Sequence, residues 1–143
     1  MESQNIRIVR VNPRVKKQIR DALLVEKDGF TGGDPPESDP EVMRYLAERG
    51  WVFLLYVGRK PASVIELLPF EAMGRGVKVN PSSPLAVINA NRQRVFGGSA
   101  LRPGDGNFAY HHGIATLPQF REGGYAKMLL YHALDAVKGR AVV

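Results

Sequence analysis

Apolar and polar positions along the chain switch between two periods. Residues 6–11, Ile-Arg-Ile-Val-Arg-Val, alternate and are β-branched, which predicts a first strand. Asn12 and Pro13 are capping and first-turn residue types, and Val15, Ile19, Leu23 and Leu24 then follow at helical spacing, so a helix is predicted over 13–26. Residues 29–40 are rich in Gly, Pro, Asp and Glu and read as a loop. Asp39-Pro40-Glu41 opens a short helix through Met43, Leu46 and Ala47, which Gly50 ends. Residues 51–57 form a near-continuous apolar run, the signature of a strand covered on both faces. A turn at 58–61 leads to a partner strand at 62–68. A strand over 107–116, a helix over 124–137 stopped by Gly139, and the start of a strand at 141–143 complete the order.

Two features resist this pattern. Residues 70–106 are rich in Gly, Pro, Asn and Arg and read as a long irregular insertion, with short strands expected at 86–89 and 94–96. The second is the stretch Ile114-Ala-Thr-Leu-Pro-Gln-Phe-Arg-Glu-Gly-Gly-Tyr-Ala. A strand ends at Thr116, Pro118 turns the chain, and a Gly-rich bend carrying Arg121 feeds straight into a helix. Backbone N–H groups at such a helix start have no intrahelical acceptor and sit at the positive end of the helix dipole, which suits an anion. A tight strand-to-helix turn built on Gly123-Gly124 is the plain structural alternative.

Composition narrows the partners. The 143 residues make one domain with room for a core, and the absence of cysteine excludes a disulfide framework and a thiolate metal site and fits a reducing cytoplasm. No apolar run approaches the ~20 residues of a membrane span, and the polar N-terminus lacks an apolar signal core. The net charge of +6 lies wholly in residues 73–143, which hold 9 basic and 3 acidic side chains. That half favours an anionic partner. Nucleic acid suits the charge, but no stretch interleaves basic with aromatic residues, so it is not favoured. Gly104-Asp-Gly106-Asn-Phe-Ala109 matches a dinucleotide fingerprint formally, yet precedes a strand where a helix is required. No phosphate-loop Gly-Lys-Ser/Thr motif is present.

Arg121-x-x-Gly124-x-Ala126 resembles the acyl-CoA pyrophosphate loop of the GNAT N-acetyltransferase superfamily, Gln/Arg-x-x-Gly-x-Gly/Ala. The order of elements resembles the N-terminal two-thirds of that domain. The resemblance implies an α/β (α+β) fold with a mixed, mostly antiparallel sheet flanked by helices, short of its C-terminal strands. A single acyl-CoA-binding domain over 1–143 then stops after the fifth core strand, as a fragment, with a homodimer partner completing the sheet, or as a degenerate form of the fold. The implied activity is transfer of an acetyl group from acetyl-CoA to a small-molecule or protein amine. A non-catalytic CoA-, anion- or RNA-binding module is the alternative.

By the same resemblance, Ile114, Ala115 and Thr116 hold the pantetheine arm by their backbone. Arg121, Glu122, Gly123, Gly124, Tyr125 and Ala126 hold the pyrophosphate. A general base is expected on the strand before the loop. Strict alternation puts Tyr110, His112 and Ile114 on one face there, so His112 and Tyr110 are the first candidates and Glu66, alone on an apolar strand, the next. A hydrogen-bonded core histidine is the plain alternative for His112. Adjacent His111 and His112 should point apart, and only His132 remains, so no metal set is expected. The acidic residues Asp28, Asp34, Glu37, Asp39 and Glu41 flank the loop that shapes the acceptor site in the family, which suggests a cationic amine.

Overall fold

The computed structural model describes residues 5–29, 39–69, 108–139 and 141–142. Strand β1 (Ile6–Arg10) is followed by helices α1 (Lys16–Gly29) and α2 (Pro40–Arg49). Then come β2 (Trp51–Val57), β3 (Lys60–Pro69), β4 (Phe108–Thr116), a short 3-10 turn (Pro118–Phe120), helix α3 (Tyr125–Ala136) and β5 (Ala141–Val142). The strands lie in sequence order across one sheet. The first four are antiparallel, and β5 runs parallel to β4. The mixed sheet and its flanking helices agree with the α+β expectation. The strands expected at 86–89 and 94–96 lie outside the described residues.

Alternation along β2 and β3 divides the core into two layers. Val52, Leu54, Tyr56, Val64 and Leu68 face Ile19, Ala22, Val25, Met43 and Leu46 of α1 and α2. Phe53, Leu55, Val57, Ile65 and Leu67 face Leu129, Ala133 and Val137 on the α3 side. This double coverage is why β2 carries no polar position. A polar tie crosses the first layer, where the Tyr56 hydroxyl donates to Asp21 Oδ2 at 2.6 Å and Lys17 pairs with the same oxygen.

Two sequence expectations are corrected. Helix α1 begins at Lys16 and runs to Gly29, displaced by three residues from the predicted 13–26. Asn12 caps one turn earlier than the helix: its Oδ1 accepts from Arg14 N at 2.9 Å and its carbonyl from Val15 N, so residues 13–15 form a turn instead. The buried face of α1 is also rotated. Ile19, Ala22, Val25, Glu26 and Gly29 are inside, whereas Val15 and Leu24 are exposed. Helix α2 starts as expected, with Asp39 accepting from Val42 N at 2.9 Å.

Candidate functional site

The end of β4 and the start of α3 enclose a concave surface. Strand β5 pairs with β4 only at Phe108↔Ala141 and Ala109↔Val142. Beyond Ala109 the outer edge of β4 has no strand beside it among the described residues. A cavity of about 250 Å³ lies at its end, lined by Gly29, Ile114, Ala115, Thr116, Arg121 and Ala126. A second, of about 310 Å³, shares Thr116, Arg121 and Ala126 and adds Phe120, Glu122, Gly124, Tyr125 and Lys127. Of the nine residues proposed from sequence to hold a cofactor, only Gly123 lines neither.

The loop geometry explains its composition. Glu122 and Gly124 both adopt left-handed backbone, at φ 69° and 77°, which reverses the chain twice within four residues. Gly124 is the N-cap of α3 and offers no side chain. The first hydrogen bond of the helix runs from Met128 N to Gly124 O at 3.0 Å, so the amides of residues 125–127 fall outside the helical ladder. A Cβ on Gly124 would meet nothing within 4 Å, so the open space lies directly over the helix start.

Arg121 does not simply extend into solvent. Its Nε donates to Thr116 O at 3.3 Å and its Nη2 to Gly29 O at 3.2 Å, joining the end of β4 to the end of α1. Gly29 is required there, because a Cβ would fall 2.7 Å from Thr116 C. Arg121 therefore lines both cavities while its guanidinium ties two backbone carbonyls.

A second group lies on the α1 face of the sheet. The β3–β4 register shifts between Glu66↔Gly113 and Leu67↔His111, so His112 is the extra residue of a β-bulge. The bulge breaks the alternation that would have put His112 beside Ile114. Ile114 packs on the α3 layer, whereas His112 lies on the opposite side with Glu66 and Glu26. One ligand-capable atom from each of Glu26, Glu66 and His112 lies within 4.8 Å of the others. All three side chains are buried, Glu66 completely. Both Glu66 carboxylate oxygens are fully buried, beside the Glu26 carboxyl.

Burial, and then the neighbouring Glu26 carboxyl, push Glu66 well above the ordinary carboxylate range. Burial, and secondarily His111, push His112 down to about 4, so its ring is neutral at pH 7. His111 is half-buried and lowered by burial. His132 lies on α3, edge-on to Phe53 at 4.9 Å, on the other side of the sheet. The Tyr110 side chain, Asp34 and Glu37 lie outside the described residues. Glu26 went unnoticed in the sequence because it looks like one more charge on an amphipathic helix. Its only signal is the position between Ile19, Ala22 and Val25 on the buried face.

Helices α1 and α2 on one face, α3 on the other, and a strand–loop–helix site at an opened sheet edge define a GNAT-type acyltransferase domain. The acetyltransferase (GNAT) family model matches residues 64–142, more than half of the chain, and the chain belongs to that family. Solved structures agree on the fold. The ribosomal-protein-S18-alanine N-acetyltransferase of Escherichia coli superposes with a TM-score of 0.56 at 16% identity, over 93% of this chain and 59% of its own. A GNAT-like decarboxylase, GphF, solved with isobutyryl-CoA, gives 0.56 at 17%, over 91% and 58%. An aminoglycoside antibiotic 6'-N-acetyltransferase of Acinetobacter haemolyticus gives 0.50 at 18%, over 96% and 77%. The chain thus spans about three fifths of the length of the first two. A comparison with curated protein sequences finds no significant match.

Proposed function

We propose that the protein transfers an acetyl group from acetyl-CoA to an amine. The observation that carries this reading is the outer edge of β4, which beyond Ala109 has no strand beside it among the described residues and ends at a cavity lined by the start of α3. An extended pantetheine arm is a peptide-like chain that can add to a strand edge at residues 114–116. The pyrophosphate then falls at the amides of residues 121–126, where the helix dipole and the nearby Arg121 both favour negative charge. Glycine at 124 lets the phosphate oxygens approach the backbone. The acetyl-CoA donor is supported by the family and by the CoA thioester bound to one neighbour.

In the reaction, a neutral amine nitrogen attacks the thioester carbonyl carbon. The new C–N bond forms, the C–S bond breaks, and the CoA thiolate leaves to be protonated. Backbone donors on the open β4 edge are suitably placed to polarise the carbonyl. Neither His112 nor Glu66 is presented to an acceptor from the surface, and a pKa of about 4 makes His112 a poor base at neutral pH. We therefore assign proton loss by the amine to solvent and leave Tyr110 as the β4 candidate for a direct contact. The cysteine-free chain has no described helix long and apolar enough to cross a membrane, which fits work in the cytoplasm.

Calorimetric titration with acetyl-CoA tests the site. Gly124→Glu places a side chain and a negative charge over the helix start, so CoA binding should fall at least ~100-fold while the chain stays folded. Equal affinity in the two proteins would overturn the assignment. Thiol release from acetyl-CoA in the presence of an amine panel tests the activity. Binding without transfer selects the alternative, a CoA-binding module without catalysis. That alternative draws on the burial of both His112 and Glu66. An RNA-binding module would instead show affinity falling steeply with salt.

A further inference from the structure

We propose that Arg121 is a positioning residue of the acyl-CoA site: its guanidinium straps the end of β4 to the end of α1, so shaping the cleft for the pantetheine arm, and does not leave to hold phosphate. The role rests on the acyl-CoA reading above. The first observation is a pair of hydrogen bonds. Nε donates to Thr116 O at 3.3 Å and Nη2 to Gly29 O at 3.2 Å. These two nitrogens form one edge of the planar guanidinium, so a single rigid fork is committed to backbone carbonyls on two elements.

Both carbonyls lie where regular structure supplies no donor. Leu117 N donates to Ala62 O, and Ala115 O accepts from the Ser63 hydroxyl, so residues 115 and 117 turn their backbone groups toward β3. Thr116 therefore turns its carbonyl to the outer edge of β4, where no strand lies beside it among the described residues. Gly29 O belongs to the last turn of α1, whose carbonyls have no intrahelical donor and sit at the negative end of the helix dipole. A guanidinium satisfies both. Swinging it onto a pyrophosphate would break two charge-assisted hydrogen bonds. The amides of residues 125–127 lie outside the helical ladder and meet an anion without that loss.

The second observation is the cleft itself. The strap and both of its anchors, Gly29 and Thr116, line the cavity of about 250 Å³ at the end of β4, with Ala126 of α3 on its wall. A Cβ on Gly29 would fall 2.7 Å from Thr116 C, so the end of α1 approaches the β4 backbone closely. The strap holds that approach, and with it the spacing between α1, β4 and α3 that an extended arm has to fill. The sequence shows the arginine but not this role, because both acceptors are backbone atoms and one closes a helix far along the chain.

Calorimetric titration of the full chain compares CoA with adenosine 3'-phosphate 5'-diphosphate, which carries the phosphates and lacks the arm. Arg121→Gln should weaken CoA about tenfold or more, and the armless nucleotide less than about threefold. Arg121→Lys keeps the charge but cannot span two carbonyls, so it should not restore CoA affinity. Hydrogen exchange in the ligand-free protein should rise in the last turn of α1 in both variants. Unchanged CoA affinity, equal losses for the two ligands, or rescue by lysine overturns the strap. Unchanged exchange at the end of α1 overturns it as well. A wild type that binds neither ligand instead removes the acyl-CoA reading, and this role with it. Should Arg121→Gln fail to fold, the lysine variant decides by the same comparison of ligands.

Discussion

Burial of a histidine has a measurable consequence in acid. Burial pushes His112 down to about 4 in the folded protein, against an ordinary value of 6.5. The unfolded chain therefore binds an extra proton between those values. A depressed group contributes stability above its unfolded pKa and loses it as the pH falls toward the folded one. The full displacement corresponds to about 3 kcal/mol, of which about 2 kcal/mol is lost between pH 7 and pH 5. Glu66 works in the opposite direction. Its raised pKa gives stability that is complete below 4.5 and declines as the pH rises, so from pH 7 to pH 5 it offsets His112. The informative quantity is consequently a difference between two proteins. His112→Gln replaces a neutral ring by a neutral amide, leaving the field at Glu66 unchanged near pH 7 while removing the titration. Urea unfolding at pH 7 and pH 5 should show the wild type losing about 2 kcal/mol more than the variant. Parallel losses in the two proteins would refute the argument, because His112 would then be exposed enough to titrate normally when folded.

Three further outcomes are expected. Gly29→Ala pushes a methyl group to within 2.7 Å of the Thr116 backbone, so it should cost about 1–3 kcal/mol in chemical unfolding and weaken CoA binding. If the acidic segment between α1 and α2 recruits a cationic amine, neutralising Asp34 and Glu37 should raise the acceptor KM at unchanged acetyl-CoA affinity; an unchanged KM, or a preference for anionic acceptors, rejects this. The outer edge of β4, with no strand beside it beyond Ala109 among the described residues, together with exposed Met128, Leu130, Tyr131 and Leu134 on α3, should make the chain self-associate. Sedimentation showing a strict monomer at high concentration would count against that.

The difference between what the sequence discloses and what it hides lies in how many elements a feature needs. Strand β2 is legible from its own seven residues, since an unbroken apolar run requires cover on both faces, and both covers are found. The N-cap at Asp39 and the loop from Arg121 to Gly124 are equally local, because each follows from the chemistry of a few adjacent residues. The start of α1 is already less so. Asn12, Pro13 and Val15 carry good start signals, but the cap is spent on a turn, and the helix is set by which side chains fit the sheet. Small and charged residues then win positions on the buried face over Val15 and Leu24.

The buried acid–histidine group is the far end of that series. No residue near His112 marks a bulge, because the extra residue is fixed by the mismatch in register between β3 and β4. Alternation therefore puts His112 with Ile114, and the structure puts it on the other side of the sheet. That single shift moves a side chain out of the face where a base for the amine was expected and into contact range of two carboxylates. The same shift separates two jobs along one strand. The open edge and the end of β4, at residues 114–116, are left to hold an extended ligand, while His112 and Glu66 are committed to the core behind it. A change to the buried group should thus alter stability and its pH dependence first. A change at Gly124 should alter ligand binding first, and double variants of the two sites should be close to additive in stability.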